Sequence, residues 1–283
     1  MSYLHINNLY NDERILAFRS LYATEKVHGT SAHVRYRSGE ITYFSGGCSR
    51  EIFIGLFFES TLLALFTALG HADVTVYGEQ YGGKQQGMSA TYGKDARFIV
   101  FEVQVGKTWL AVPNAADVAA KLGLEYVPYR VVEATLEALN AERDRDSEVA
   151  VNCGMGLGHP REGIVLRPPF ECCYSDGSRV IAKHKRDDFR ETATPRRVGD
   201  KTTTIAGDAA ALEWVTDMRL THVMDAVRAQ TGRSLTMADT SAIVSAMIAD
   251  VEREGTGEVV VDKATRKALG SRAAKMFIRT VKI

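Results

Sequence analysis

One lysine stands in a setting where an amine could react. Lys26 lies in the segment Thr24-Glu-Lys-Val-His-Gly-Thr30, after an apolar, strand-like approach and three residues before a glycine. A lysine amine attacks only when it is deprotonated, and since its unperturbed pKa is about 10.4, a site must lower that value by burial or by nearby cations. Gly29 would let the backbone turn tightly and let a substrate approach closely. The tetrapeptide alone is common, so its meaning depends on the rest of the chain.

Other charged side chains fall at the ends of predicted strands, where functional groups are often displayed. Glu79 ends one strand and Glu162 begins another. Lys183 and Lys185 are two residues apart in a third strand, so their side chains point to the same face.

These residues suit the transfer of a nucleotide to lysine. Lys26 would attack the α-phosphorus of a nucleoside triphosphate and form a lysine–AMP phosphoramide. Lys183 and Lys185 would neutralise phosphate charge and lower the pKa of the nucleophile. Glu79 and Glu162 would bind the ribose or hold a divalent metal, which offsets charge on the transferring phosphorus and on the pyrophosphate leaving group.

An aromatic ring and an arginine extend this set. Phe101, followed by Glu102, lies inside the strongly strand-like segment 97–105 and could stack on a purine. Arg50, in a loop after glycines, could grip a terminal phosphate with its fork of donors. Each residue alone also has a structural interpretation, as a strand-end carboxylate, an exposed strand face or a surface arginine. Their joint order along the chain favours the functional interpretation.

The elements that would carry these residues follow from hydrophobic periodicity. Alternation predicts a hairpin over 21–47, and strands at 74–77, 97–105, 109–112, 126–131, 163–168 and 180–185. Helices are predicted over 56–69, 115–122 and 133–143, and then over 209–228, 237–254 and 263–281, where aromatic residues become rare. We therefore expect two domains, 1–204 and 205–283.

Composition limits the class of protein. The 283 residues carry a formal net charge of zero, so attraction of a polyanion would require a local basic patch. No apolar run approaches 20 residues, and no basic-then-apolar leader begins the chain, so we expect no membrane span and a cytoplasmic monomer. The four cysteines show no paired C-x-x-C spacing, which favours reduced thiols over a zinc site: Cys48, Cys153, Cys172 and Cys173.

The ordered motifs resemble those of the covalent nucleotidyltransferase superfamily of ATP-dependent ligases and capping enzymes. The matching segments are Lys26-Val-His-Gly29, Ser49-Arg50, Tyr77-Gly-Glu79, Phe98-Ile-Val-Phe-Glu102, Glu162-Gly-Ile-Val165 and Ala182-Lys-His-Lys185. His28 stands where DNA ligases and capping enzymes usually carry aspartate. Lys-x-His-Gly-Thr resembles instead the RNA ligase 2-like family, which includes phage RNA-repair ligases. The resemblance covers roughly residues 20–192.

This resemblance implies a fold and an activity. The fold would be α+β, a nucleotidyltransferase (ATP-grasp-like ligase) domain of antiparallel sheets with flanking helices, followed by a small all-α C-terminal domain. The activity would be that of an ATP-dependent RNA ligase that uses Mg²⁺ or Mn²⁺ and joins 3′-OH and 5′-phosphate ends. Its substrate would be RNA, including a nicked duplex or an RNA/DNA hybrid.

The resemblance also implies roles for the nucleotide-binding residues. Lys26 would be the adenylylated nucleophile, and Glu25 would contact adenine through its backbone. Glu79 would bind the ribose, and Phe101 would stack on adenine. Lys183 and Lys185 would hold the α-phosphate.

The remaining roles concern the later steps and the metal. His28 would act after the lysine adenylate has formed, and Arg50 would serve in the second motif. Glu162 and Glu102 would bind metal, although the family commonly has the shorter aspartate at the second of these positions. Ser31 stands where the family often has asparagine.

The C-terminal part favours an RNA ligase over its relatives. DNA ligases and capping enzymes append an OB-fold, which needs about five short strands, whereas residues 208–283 have mostly helical periodicity. The last predicted helix carries basic residues that could contact RNA or form a solvated face: Arg266, Lys267, Arg272, Lys275, Arg279 and Lys282. A DNA or RNA-to-DNA ligase, a non-catalytic nucleic-acid-binding relative and a GTP-using capping enzyme remain alternatives.

Overall fold

Two antiparallel sheets form the N-terminal part of the chain in a computed structural model, which describes residues 3–200 and 203–281. The strands are β1 (Ser20–Lys26), β2 (Thr30–Arg37), β3 (Glu40–Ser45), β4 (Asp73–Gly82), β5 (Ala96–Val105), β6 (Thr108–Trp109), β7 (Tyr129–Glu133), β8 (Gly163–Arg167) and β9 (Ala182–Lys185). One sheet has the order β7-β1-β8-β9 and the other the order β3-β2-β4-β5-β6. Lys26, which begins the motif Lys26-Val-His-Gly29, therefore ends β1, an internal strand of the smaller sheet.

Helices flank these sheets and make up the C-terminal part. They are α1 (Arg50–Ile54), α2 (Glu59–Ala68), α3 (Ser89–Tyr92), α4 (Val112–Lys121), α5 (Leu136–Arg143), α6 (Glu148–Asn152), α7 (Gly207–Trp214), α8 (Asp217–Thr231), α9 (Thr240–Glu254) and α10 (Lys263–Val281). Short 3-10 helices lie at Glu13–Ala17, Gln85–Gly87, Asp187–Phe189 and Met237–Asp239. No helix within the described ranges is both long enough and apolar enough to cross a membrane.

The chain divides into two compact units, Met1–Arg186 and Asp187–Ile283. The first unit contains both sheets and α1 to α6, and the second contains α7 to α10. The α+β class with antiparallel sheets, flanking helices and a helical C-terminal region is therefore confirmed. The domain limits 1–204 and 205–283 stay a prediction.

Each unit has its own apolar core. In the first, alternate residues of β2 such as Val34 face Phe53 of α1 and Phe66 of α2, all fully buried. The period of two in a strand puts every second side chain on this face. In the second unit, Leu269 and Phe277 of α10 are fully buried at a helical spacing. These cores fix the strands and helices on which the polar residues stand.

Two predicted elements were wrong, and both errors have local causes. The helix predicted over 209–228 is divided into α7 and α8, because the Thr216 side chain accepts a hydrogen bond from the backbone N–H of Arg219 and caps a new helix. The strand predicted over 109–112 stops at Trp109, and α4 begins at Val112. Pro113 lacks the N–H that a strand ladder needs and suits the first turn of a helix.

Candidate active site

Strand register places two lysines in one row across the smaller sheet. Lys26, the last residue of β1, pairs with Gly163 of β8, and Gly163 pairs in turn with Lys185 of β9. A Cβ atom at Gly163 would collide with the carbonyl oxygen of His184, so this position accepts only glycine. Gly163 therefore lets β8, which lies between the strands of the two lysines, pack closely against β9.

Glu162, the residue before β8, joins three of the predicted site residues. Its carboxylate accepts hydrogen bonds from Lys26 Nζ at 2.7 Å and His28 Nδ1 at 3.1 Å, and it pairs with Lys185 Nζ at 3.0 Å. Its side chain is only 2% exposed. Burial alone would raise the pKa of Glu162, but Lys26, Lys185 and His28 hold it well below the usual range. Glu162 is therefore an ionised acceptor at the centre of the cluster.

Glu79 of β4 lies near this centre as a second carboxylate. It accepts a hydrogen bond from the backbone N–H of Gly29 at 3.1 Å. Burial and, to a lesser extent, the charge of Glu162 raise the pKa of Glu79 to about 8, against the opposing effect of Lys26. A Cβ atom at Gly29 would collide with the carbonyl oxygen of Gln80, so the first motif requires glycine here for close approach to β4.

A β-bulge sets the position of Phe101. Tyr77 of β4 pairs with Glu102 and Gly78 pairs with Val100, so Phe101 is the extra residue in β5. Bulges of this kind re-aim a side chain and are frequent beside functional sites. The Phe101 ring packs against an apolar cluster and lies 4.9 Å from the Tyr3 ring, edge-on at 69°.

Glu102 belongs to a different ionic group from Glu162. Its carboxylate is bound by Arg167, by Arg179 and by the hydroxyl of Tyr3. Burial would raise the pKa of Glu102, but the two arginines hold it below the usual range. Among the contacts of the described residues, none joins Glu102 to Glu162, the other residue predicted to bind metal, and Glu102 has the contacts of a structural ion pair.

Glu25 also has its carboxylate engaged, by residues near the start of α6. The hydroxyl of Ser147 and the backbone N–H of Glu148, at 2.9 Å, donate hydrogen bonds to it. Burial raises the pKa of Glu25, against the effect of the Ser147 hydrogen bond and of Arg161. This side chain anchors β1 to α6, which leaves a nucleotide contact to the backbone of Glu25, as the resemblance implies.

The last two predicted site residues differ in environment. Lys183 is 9% exposed and lies two residues before Lys185 in β9, opposite Val165. Its backbone is bound on the other side by the N-terminal segment, with Lys183 N donating to Asn7 O at 2.9 Å. Arg50 is exposed as the first residue of α1. No contact described for residues 3–200 joins its guanidinium to Glu162.

Glu79 and Glu162 suit only a divalent cation that takes most of its ligands from water and substrate phosphates. Within the described part of the chain, no group of three or more His, Cys, Asp or Glu side chains is arranged to hold a metal ion. Glu79 and Glu162 are nevertheless close enough for one charge to raise the pKa of the other. Mg²⁺ is commonly bound by one or two carboxylates together with water and substrate phosphates. Glu79 and Glu162 could supply one or two carboxylates to such an ion beside a bound triphosphate, and the described residues do not form a closed, all-protein site.

Sequence reasoning missed two buried arginines that hold elements near the predicted site residues, Arg161 and Arg167. Arg161 is 1% exposed and donates to Glu142 Oε1 at 2.9 Å and to the carbonyl oxygen of Asp146 at 3.0 Å. Arg167 binds Glu102 as described above. A buried arginine looks like any surface arginine in a sequence, because its partner lies far away in the chain. The only signal was their position, Arg161 two residues before the predicted strand 163–168 and Arg167 near its end.

Comparison with models of protein families identifies one family. A family model described as RNA ligase matches residues 19–185. An RNA ligase of Naegleria gruberi, solved as a mutant with ATP and Mn, superposes with a TM-score of 0.53 at 16% identity. The match covers 67% of this chain and 57% of that one. The same ligase with PPi gives 0.53 at 17% identity over the same shares, 67% and 57%.

A further mutant of that ligase, with AMP and Mn, gives a TM-score of 0.52 at 15% identity, again with 67% and 57% coverage. The chain thus spans 57% of the length of these solved ligases. At such identities the likeness shows a shared fold. A search of curated proteins found no match.

Proposed function

This chain belongs to the RNA ligase family, and we propose that it is an ATP-dependent ligase that joins RNA 3′-OH and 5′-phosphate ends through an adenylate on Lys26. The observation that carries the proposal is the shared contact of Lys26, His28 and Lys185 with buried Glu162. A nucleophile candidate, a second cation and the Glu162 carboxylate stand together at the ends of β1, β9 and β8, and Glu79 of β4 lies nearby. This is the chemistry that nucleotidyl transfer to lysine requires.

In the first step the Lys26 amine, having lost a proton, attacks the α-phosphorus of ATP. A P–N bond forms, the bond to the β-phosphate oxygen breaks, and pyrophosphate leaves. The Lys26 side chain is 24% exposed, so its amine is accessible to a nucleotide while Glu162 holds it in place. Lys185 and Lys183 would bind the α-phosphate oxygens, on which negative charge increases in the transition state.

The adenosine would be held by residues of the larger sheet. Glu79 would accept a hydrogen bond from a ribose hydroxyl, or donate one while its own carboxyl is protonated. Phe101, exposed in part at the bulge, would stack on adenine. A divalent cation, Mg²⁺ or Mn²⁺, would supply charge neutralisation for the triphosphate beside Glu162 and Glu79.

Two further steps would complete sealing. AMP passes from Lys26 to the 5′-phosphate end of the RNA, and the 3′-OH then attacks that end and releases AMP. His28 is buried against Glu162 and would act here rather than in the first step. Arg50, exposed at the start of α1, is free of ion pairs among the described residues and would bind a terminal phosphate.

Covalent labelling tests the proposal. Incubation with ATP labelled at the α-phosphate should label the protein and release pyrophosphate, and Lys26→Ala should abolish the label. Lys121→Ala, which removes an exposed lysine paired with Asp117, is the matched control and should label normally. A Lys26→Ala protein that still carries the label would contradict the assignment. A parallel panel of all-RNA, all-DNA and mixed nicks, with single strands alongside, would then define the substrate.

A further inference from the structure

The last helix of the chain carries positive charge without any acidic residue. Helix α10 has the sequence KATRKALGSRAAKMFIRTV, which contains lysines and arginines but no Asp or Glu. One face is buried in the core of the second unit through Thr265, Leu269, Ala273 and Phe277. Because that face is occupied, the remaining surface of the helix is what an external partner would meet.

Four cations line this outer surface as a basic stripe, defined by Lys263, Lys267, Lys275 and Arg279. Each is exposed, and their positions follow a spacing of four residues with Ser271 between the second and third. At about 3.6 residues per turn, successive positions of this series lie about 6 Å apart along the axis and turn by about 40°, so the stripe winds around the helix as it runs along it. Lys282, which the sequence also predicted in this series, lies outside the described residues.

Internal contacts account for the other two basic residues of α10 but not for the stripe. Arg266 forms an ion pair with Glu252, and Arg272 Nε donates to the carbonyl oxygen of Val215 at 2.9 Å. Within residues 203–281 no ion pair or side-chain hydrogen bond is found for any member of the stripe: Lys263, Lys267, Lys275 and Arg279. Their charges are therefore directed at solvent or at a partner.

The cations of the stripe are not placed where they would stabilise helix α10 itself. Lys263 is the first helical residue, at the positive end of the helix dipole, where cations are disfavoured. The one carboxylate beside it, Asp262, accepts from the backbone N–H of Thr265 at 2.7 Å and serves as a cap. Lys263 with Lys267, four residues apart, forms a like-charge pair that destabilises a helix. Such an arrangement is stabilised when a partner supplies several anions in a row.

We propose that the basic stripe of α10 binds the phosphate backbone of an RNA. The chain has no net charge, so a polyanion must be attracted by a local set of cations such as this one. The regular spacing suits a row of phosphates better than a single small anion. Since Leu269 and Phe277 are buried in the core, the helix has no free apolar face to insert into a lipid surface. The inference rests on the proposed function in that RNA is the expected substrate.

Glutamine substitution tests the stripe while keeping helix propensity. The variant Lys263→Gln/Lys267→Gln/Lys275→Gln/Arg279→Gln is compared with the wild type by filter binding of a labelled single-stranded RNA over a range of KCl concentrations. The dissociation constant should rise at least about tenfold near 0.1 M salt. The slope of log K against log salt should fall by up to about 3, since each lost contact removes roughly 0.7 for a single strand.

A matched pair of double variants controls for net charge. Lys275→Gln/Arg279→Gln removes two stripe cations. Arg228→Gln/Arg253→Gln removes two exposed cations of the same unit that are paired with Asp225 and Asp250. Only the first should weaken RNA binding. The doubles also keep the test decisive if circular dichroism shows that the quadruple variant is unfolded.

The outcomes separate this inference from the proposed function. Self-adenylylation without RNA should be unchanged in the quadruple variant. A wild-type protein that fails to label would contradict the proposed function, while the binding measurement would still decide the stripe. Unchanged RNA affinity and salt slope in the stripe variants would overturn the inference. So would retained RNA binding together with a selective loss of binding to phosphatidylserine vesicles, which would assign the stripe to a lipid surface.

Discussion

Lys26 Nζ lies 2.7 Å from Glu162 Oε2, and the same carboxylate also pairs with Lys185 Nζ at 3.0 Å. One buried anion thus holds two amines at the ends of separate strands, with Gly163 of β8 between them. The arrangement positions the candidate nucleophile before any nucleotide is present. It also means that the two lysines depend on Glu162 to lie close together, since like charges repel.

Glu162→Gln should therefore lower both catalysis and stability. We expect self-adenylylation to fall by about a hundredfold or more, as when a preorganised electrostatic group is removed from a site. The free energy of unfolding should fall by about 2 kcal/mol, because a buried charged acceptor is lost. Radiolabelling with ATP and urea denaturation measure the two effects. Wild-type labelling by the variant would show that Glu162 does not position Lys26.

Glu79 should make the stability of the protein depend on pH in the range around neutrality. Its pKa is raised to about 8 in the folded state and is about 4.3 in an unfolded chain, so the folded protein binds the extra proton between these values. The stabilising contribution is complete below about pH 4.3 and is lost as pH rises through 8.

As pH rises from 5 to 9, the free energy of unfolding of Glu79→Gln should therefore increase relative to that of the wild type. The relative increase should be at least about 1.4 kcal/mol, the equivalent of one pKa unit. Urea denaturation at several pH values measures this. Parallel pH profiles for the two proteins would contradict the prediction.

Glu102→Gln distinguishes a structural carboxylate from a metal ligand. The substitution leaves Arg167 and Arg179, with side chains 2% and 12% exposed, without their full partner. Breaking a buried pair in this way costs about 3–5 kcal/mol, so the melting temperature should fall strongly. At a temperature where the variant is folded, the Mg²⁺ concentration for half-maximal labelling should match that of the wild type. A large shift in that concentration would favour the metal role implied by the resemblance.

The sequence predicted residues with local signals and missed those with distant partners. Lys26 and His28 stand in a short motif at the end of an apolar strand, and alternation in β9 placed Lys183 and Lys185 on one face. The partners of Glu102 could not be predicted, because Arg167 and Arg179 reach it only when the strands pair.

The same limit explains the helix over 209–228. Its apolar period continues through residue 215, whereas the capping hydrogen bond of Thr216 that ends one helix and begins another depends on the folded backbone. Patterns thus predicted which elements exist, and tertiary contacts decided where they stop.

His28→Ala should separate the chemical steps of the proposed reaction. His28 Nδ1 donates to Glu162 at 3.1 Å from a side chain that is 5% exposed, so it contacts the cluster without being the attacking group. Lys26 and Lys185 keep the charge of Glu162 compensated when the imidazole is removed. Self-adenylylation should therefore fall modestly, whereas sealing of a 5′-phosphate RNA should fall at least about tenfold further if His28 assists the later steps.

Arg50→Ala provides the comparison for this partition, since Arg50 is exposed and stands apart from Glu162 among the described contacts. It should leave labelling near the wild-type level and impair sealing. A single-turnover assay with pre-adenylylated RNA isolates the last step for both variants. Equal loss of labelling and sealing in His28→Ala would instead mean that the histidine acts by orienting Glu162. The substitution would then act by changing the position of Lys26 in the first step.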